Sequence, residues 1–174
     1  MIRGTKINLR PLTQQDLEFF RKVANDPEYN GEFNDFGLRN SVDLEKGFSV
    51  EGLFGPHQGM LVIVDQEDQI VGDMSYHQVA YGPNPASQVY EIGLSIRPDR
   101  RGRGYGVEAQ ALLADYFFRT YNIMRIQAST DIENIPEQKA LLKAGFSREG
   151  VMRKAQWRNG AFHDLVMYSK LRGE

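Results

Sequence analysis

Hydrophobic positions change their spacing several times along the chain, and each spacing predicts an element. Ile7 and Leu9 alternate with polar neighbours up to Pro11, as in a short half-buried strand. Thr13 and Asp16 have the spacing of a capping box ahead of Leu17, Phe20 and Ala24, which fall on one side of a helix. In residues 27–40, Tyr29, Phe33 and Phe36 stand among Glu28, Glu32 and Asp35, which reads as a loop with partly buried aromatics; a second helix is expected from Ser41. Residues 61–64 and 70–76 read as strands across the polar turn Gln66, Glu67 and Asp68, and residues 81–86 as a turn-rich excursion. In the strand expected at 88–96, the pleat sends Tyr90, Ile92, Leu94 and Ile96 to one face and Val89, Glu91, Gly93 and Ser95 to the other. Ala109, Leu112, Leu113, Tyr116 and Phe117 then recur at helical spacing. Residues 124–130 form the fifth expected strand, and a helix from just after Asn134 to Lys143 is stopped by Gly145 in a left-handed cap. Strands at about 146–157 and 161–170 are joined by Asn159 and Gly160, a two-residue hairpin signal. No linker, low-complexity tract or repeat interrupts the run, so one domain over residues 1–174 is expected.

Chemistry concentrates where the strand at 88–96 meets the next helix. Between Arg97 and Gly106 stand Arg97, Arg100, Arg101 and Arg103 with Gly102, Gly104 and Gly106. Closely spaced glycines let backbone N–H groups approach an anion, and the helix N-terminus that follows adds partial positive charge. A Walker A loop requires Gly-Lys-Ser/Thr, which is absent. Gly104, Gly106 and Ala109 match the dinucleotide fingerprint, but the glycines stand too far beyond the strand for a Rossmann turn. A third pattern, Arg/Gln-x-x-Gly-x-Gly/Ala, is filled by Arg101, Gly104 and Gly106. On the polar face of the strand, Glu91 beside Gly93 and Ser95 is an acid next to an open groove. Such a carboxylate suits general-base work; pairing with an arginine or capping a neighbour is the structural alternative.

With these residues the chain resembles the GNAT superfamily of acetyl-CoA-dependent N-acetyltransferases. Residues 134–146 are similar to the second half of that superfamily's coenzyme A site. Residues 150–168 are similar to the C-terminal hairpin of the branch holding ribosomal-protein N-terminal and polyamine acetyltransferases. The resemblance implies an α/β (α+β) fold with a mixed, mostly antiparallel sheet and helices on both faces. The sheet would be splayed between the fourth and fifth strands, with the coenzyme's pantetheine in the splay. It implies Glu91 as general base and coenzyme binding by Leu94, Ile96, Arg101, Gly102, Arg103, Gly104, Tyr105, Gly106 and Asn134. Asn134 with Glu137 three residues on also reads as a plain N-cap box. The implied reaction moves acetyl directly from acetyl-CoA to a primary amine, of a small molecule or a protein N-terminus, in a ternary complex. A non-catalytic acyl-CoA-binding regulatory protein is the alternative. Two positions depart from the pattern: Leu141 stands where many members carry a tyrosine that protonates the departing thiolate, and Glu137 where the branch often has serine. The proton donor is therefore unassigned, with water, a substrate ammonium, Tyr76 and Tyr168 as candidates.

Composition narrows the chemistry. At 174 residues and 41% hydrophobic, the chain suits one globular core, and the lack of cysteine removes thiol nucleophiles and disulfides, so no acyl-enzyme is expected. A net charge of −2 argues against nucleic acid as a partner and makes the arginine cluster a local feature. His57, His77 and His163 have no zinc-binding spacing, and no metal is expected. No apolar run approaches the roughly 18 to 20 residues of a membrane span and the N-terminus lacks a signal-peptide core, so a cytoplasmic protein with no membrane partner is expected. A homodimer is left open. Acidic residues within 28–45 would suit a cationic acceptor or simply face solvent.

Overall fold

The computed structural model describes residues 1–51 and 53–174. Among them eight strands, β1 (Ile2–Arg3), β2 (Ile7–Pro11), β3 (Gln58–Asp65), β4 (Ile70–Ala80), β5 (Gln88–Ile96), β6 (Arg125–Asp131), β7 (Ser147–Arg158) and β8 (Ala161–Leu171), form one sheet ordered β1-β2-β3-β4-β5-β6-β8-β7. Five α-helices accompany it in the described residues: α1 (Asp16–Val23), α2 (Pro27–Asn34), α3 (Ser41–Glu51), α4 (Tyr105–Thr120) and α5 (Ile135–Lys143). Neighbouring strands are antiparallel except β5 and β6. That parallel pair is joined only at Tyr90–Ile126 and Glu91–Gln127, after which the strands part. The sheet is mixed and splayed at the strands expected; they count fifth and sixth because β1 is too short to leave a periodic signal.

The apolar run at 61–64 explains how helices come to lie on both faces. Leu61 and Ile63 join Ile7, Leu9, Met74, Tyr76, Tyr90 and Ile92 beneath Leu113 and Phe117 of α4 and Leu141 of α5. Val62 and Val64 point the other way, into a cluster with Leu17 and Phe20 of α1 and the partly buried Leu44 and Phe48 of α3. A strand covered on both sides cannot alternate polar and apolar positions. Leu113 and Phe117 are fully buried, each contributing roughly 1.5 to 3 kcal/mol, and by seating α4 on the sheet they fix where its N-terminus points.

Two local expectations change. Residues 27–34 are helical rather than loop: Asp26 Oδ1 accepts from the Glu28 N–H at 2.9 Å and Pro27 opens the first turn. Gly31, at φ 66° and ψ 178°, breaks the helix, so no continuous apolar stripe betrays it. At α1 only half of the capping box forms. The Asp16 carboxylate accepts from the Thr13 N–H at 2.7 Å and hydroxyl at 2.8 Å, and a bidentate Arg10 takes its other face, but the N-cap residue is Gln15 without a side-chain cap.

Candidate active site

Where β5 and β6 part, a groove of about 650 Å³ opens between β5, the loop before α4, and α5. Leu94, Ile96, Arg101, Gly102, Gly104, Tyr105, Gly106 and Asn134 all line it. Gly104, the N-cap of α4, is left-handed (φ 82°, ψ 8°) and offers no side-chain cap, so the first N–H groups of α4 lack an acceptor from the cap or the helix. A helix start left this way is complementary to a phosphate.

The charge around the loop is sorted differently from the sequence reading. Arg97 binds Asp99 and the Ile70 carbonyl, and Arg100 pairs with Asp65 and Asp99. Arg103 turns back to the Asp99 carbonyl at 3.2 Å, and its side chain does not line the groove. Arg101 remains at the groove, donating to the carbonyls of Ile96 at 3.0 Å and Tyr29 at 3.3 Å, which ties the end of β5 to α2. Sequence reasoning missed Lys6, whose Nζ donates to the Arg103 carbonyl at 3.2 Å behind the glycine loop. Glu108 in the first turn of α4 holds it there by accepting from the Lys6 N–H at 3.0 Å and from the Thr5 hydroxyl at 2.8 Å. Lys139 and Lys143 add positive charge from α5. Nothing in local sequence could link Lys6 to a loop near residue 104.

Glu91 sits at the last rung of the β5–β6 ladder. Gln127 Nε2 donates to one carboxylate oxygen at 2.8 Å and Ser129 Oγ to the other at 3.0 Å, so side chains span the splay where backbone pairing ends. These partners are neutral groups of β6 and no arginine is among them. On the same face His77 stands opposite Glu91 and Ser75 opposite Gly93. A Cβ on Gly93 would lie 3.2 Å from Ser75 Oγ, so glycine keeps this floor low. Beyond His77 a second cavity of about 1080 Å³ is lined by His57, Gln58, Ser75, His77 and Gln78 with Leu53 and Met60; no Asp, Glu, Lys or Arg is among its described lining residues.

At the head of α5, Asn134 Oδ1 accepts from the Glu137 N–H at 3.3 Å while its amide donates to Thr130 Oγ1 at 3.1 Å. The reciprocal half of the N-cap box is missing: the Glu137 side chain turns into the groove wall and accepts from Gln110 Nε2 at 2.5 Å. Burial pushes the Glu137 carboxyl up to about 7, against the opposing effect of that hydrogen bond. Leu141 is fully buried in the core. Tyr76 and Tyr168 donate to the Gly55 carbonyl at 2.8 Å and to Gln138 at 3.2 Å, and neither lines the groove.

Residues 6–147 match the model of the acetyltransferase (GNAT) domain family. The chain belongs to this family. It is similar to the uncharacterized N-acetyltransferase p20 of Bacillus licheniformis, at 27% identity over 97% of this chain and 94% of the relative. Its fold is that of spermidine N-acetyltransferase from Vibrio cholerae, solved with CoA and spermine (TM-score 0.79, 20% identity, 97% of each chain). It is equally that of an acetyl transferase from Salmonella typhimurium that modifies the N-terminal serine of a 50S ribosomal subunit protein (TM-score 0.79, 20% identity, 98% of each chain). As a GNAT enzyme it is an N-acetyltransferase that uses acetyl-CoA. No helix among the described residues is long and apolar enough to cross a membrane.

Proposed function

We propose that this GNAT enzyme acetylates the terminal amine of an uncharged, peptide-like acceptor, with Glu91 removing the amine proton. The coenzyme's phosphates lie against the 101–106 loop with Lys6 behind it, and its pantetheine passes Leu94 and Ile96 toward Glu91. The glycine conformations and the uncapped start of α4 support the first placement, and the splay supports the second. Each oxygen of Glu91 accepts one hydrogen bond, which leaves lone pairs free to take a proton from the amine directly or through one water. The amine then attacks the thioester carbon without a covalent enzyme intermediate, in keeping with a chain that has no cysteine.

The cavity that begins at His77, beside Glu91, carries the acceptor assignment, since no Asp, Glu, Lys or Arg is among its described lining residues. A polyamine would bring further ammonium groups into a space without a described carboxylate, at a desolvation cost that no described lining residue repays as an ion pair. A peptide backbone finds matching donors and acceptors in Gln58, Gln78, His57 and Ser75. The acidic residues within 28–45 do not supply carboxylates to this cavity: Glu28 is exposed, Glu32 lines the coenzyme groove instead, and Glu45 pairs with Arg21 at 3.2 Å. Release of free thiol from acetyl-CoA, measured across short N-terminal peptides and polyamines, tests this. Peptide kcat/KM should exceed that of spermidine by at least about tenfold; a polyamine preferred by the same margin removes the assignment.

A further inference from the structure

We propose that Glu137 is the acid that protonates the departing coenzyme thiolate. The inference rests on the reading of the 650 Å³ groove as the acetyl-CoA site, since Glu137 lines that groove from the first turn of α5. It is also built as a neutral acid. Among the described residues its carboxyl accepts one hydrogen bond, from Gln110, which leaves its second oxygen to the groove. Gln110 is 1% exposed and its own Oε1 has no hydrogen-bond partner. The buried pair thus holds more acceptors than donors, a deficit that a proton on Glu137 reduces. A carboxylate at this point would gain from the positive end of α5, yet burial outweighs that gain and raises the group to about 7.

The chemistry calls for such a donor. As the amine nitrogen bonds to the thioester carbon, the C–S bond breaks and its electron pair passes to sulfur. A simple thiol has a pKa of about 8.5, so a carboxyl near 7 gives up its proton readily as thiolate character develops. Sulfur leaves as a thiol, the amine proton passes to Glu91, and the two carboxyls reset with solvent: Glu91 loses a proton and Glu137 gains one. Tyr76 and Tyr168 are engaged away from the groove, and Leu141 has nothing to give.

The test compares Glu137→Gln, confirmed folded by thermal denaturation, with wild type on two donors. One is acetyl-CoA; the other is an acetyl-CoA analogue fluorinated one carbon removed from sulfur, whose thiol is more acidic and needs less help to leave. On acetyl-CoA the variant should lose about 10- to 100-fold in kcat with KM for the donor within about twofold, and most of that loss should vanish on the fluorinated donor. Glu91→Gln should lose activity equally on both, because its defect lies in the amine. Full kcat in Glu137→Gln, or an equal loss on both donors, overturns the assignment. A rise in donor KM alone reduces Glu137 to a binding contact, and unchanged donor affinity after the Gly104→Ala substitution described below would instead fail the groove reading. Should Glu137→Gln not fold, wild type alone decides: a nearly flat dependence of kcat on thiol acidity is expected, and a steep one refutes the proton donor.

Discussion

Methyl groups added at Gly106 and at Gly104 should have opposite outcomes, the first tolerated by fold and coenzyme alike and the second by neither. Gly106 is the second residue of α4, and a Cβ built on it would lie 3.6 Å from Leu94 Cδ1 and 3.8 Å from Ile96 Cγ1, ordinary van der Waals contact with no clash. Alanine is a better helix former than glycine by about 0.8 to 1 kcal/mol in a helix interior, and by less in the first turn, so Gly106→Ala should be at least as stable as wild type. The loop pattern accepts glycine or alanine at this position, so Gly106→Ala should also keep its Kd for acetyl-CoA within about threefold of wild type, a change of less than about 0.7 kcal/mol. Gly104→Ala provides the contrast. Its φ of 82° strains any L residue by roughly 1 to 2 kcal/mol, and its Cβ would lie 3.2 Å from Lys6 Nζ, so it should lose stability and also about 1.4 kcal/mol or more of acetyl-CoA binding, tenfold in Kd. Urea denaturation and titration calorimetry with acetyl-CoA measure the two quantities separately. Wild-type affinity in a folded Gly104→Ala protein would refute the placement of coenzyme in this groove.

Two further predictions concern buried charge. Arg158→Met in a His163→Gln background leaves Asp131, 1% exposed at its side chain, with the Glu133 N–H at 2.8 Å but without the guanidinium at 2.7 Å or the imidazole at 3.3 Å; urea denaturation should show a further loss of about 3 to 5 kcal/mol relative to His163→Gln, and a loss below about 1 would mean that the pair is effectively solvated. Asp73 is raised by burial from an ordinary 3.8 to about 6, despite the hydrogen bond from Tyr29, so the folded form holds a proton that the unfolded form has released between those values. Stability should therefore fall as pH rises from about 4 to 6, by an amount on the order of 2 to 3 kcal/mol from this group. Asp73→Asn should flatten that slope and gain stability at pH 8, whereas an unchanged slope in pH-dependent denaturation would contradict the assignment.

What could be read from sequence follows from how locally each feature is specified. Alternation over 88–96 gives β5 its bounds and faces, because half-buried strands impose a period of two, and Asn159 and Gly160 have the positive φ values a tight hairpin requires. Gly145 likewise stops α5 as expected, at φ 88°. Helix α2 was missed because Gly31 breaks its period, although Asp26 and Pro27 carried the signal of a helix start. Glu91 was legible as an acid beside glycine, but its partners Gln127 and Ser129 come from a strand more than thirty residues away. A count of positive residues does not say where each guanidinium finds an acceptor: Arg97 and Arg103 turn to Asp99, while Arg100, paired with Asp65 and Asp99, and Arg101 stay at the groove. Lys6 and the Glu137–Gln110 pair arise only from tertiary packing of β1, β2, α4 and α5.

The role of Glu91 is tested most directly by kcat as a function of pH for wild type and Glu91→Gln, with acetyl-CoA saturating and one acceptor amine held constant. The substitution keeps the shape that Gln127 and Ser129 hold and removes the basicity. Acetyl-CoA affinity should stay nearly intact while kcat falls by about 10- to 1,000-fold. In wild type the rate should decline toward acid as the base is protonated, and in the variant that decline should flatten to leave only the ionisation of the amine. Full kcat in Glu91→Gln with an unchanged pH profile would contradict the role of Glu91 and return it to a structural bridge between β5 and β6.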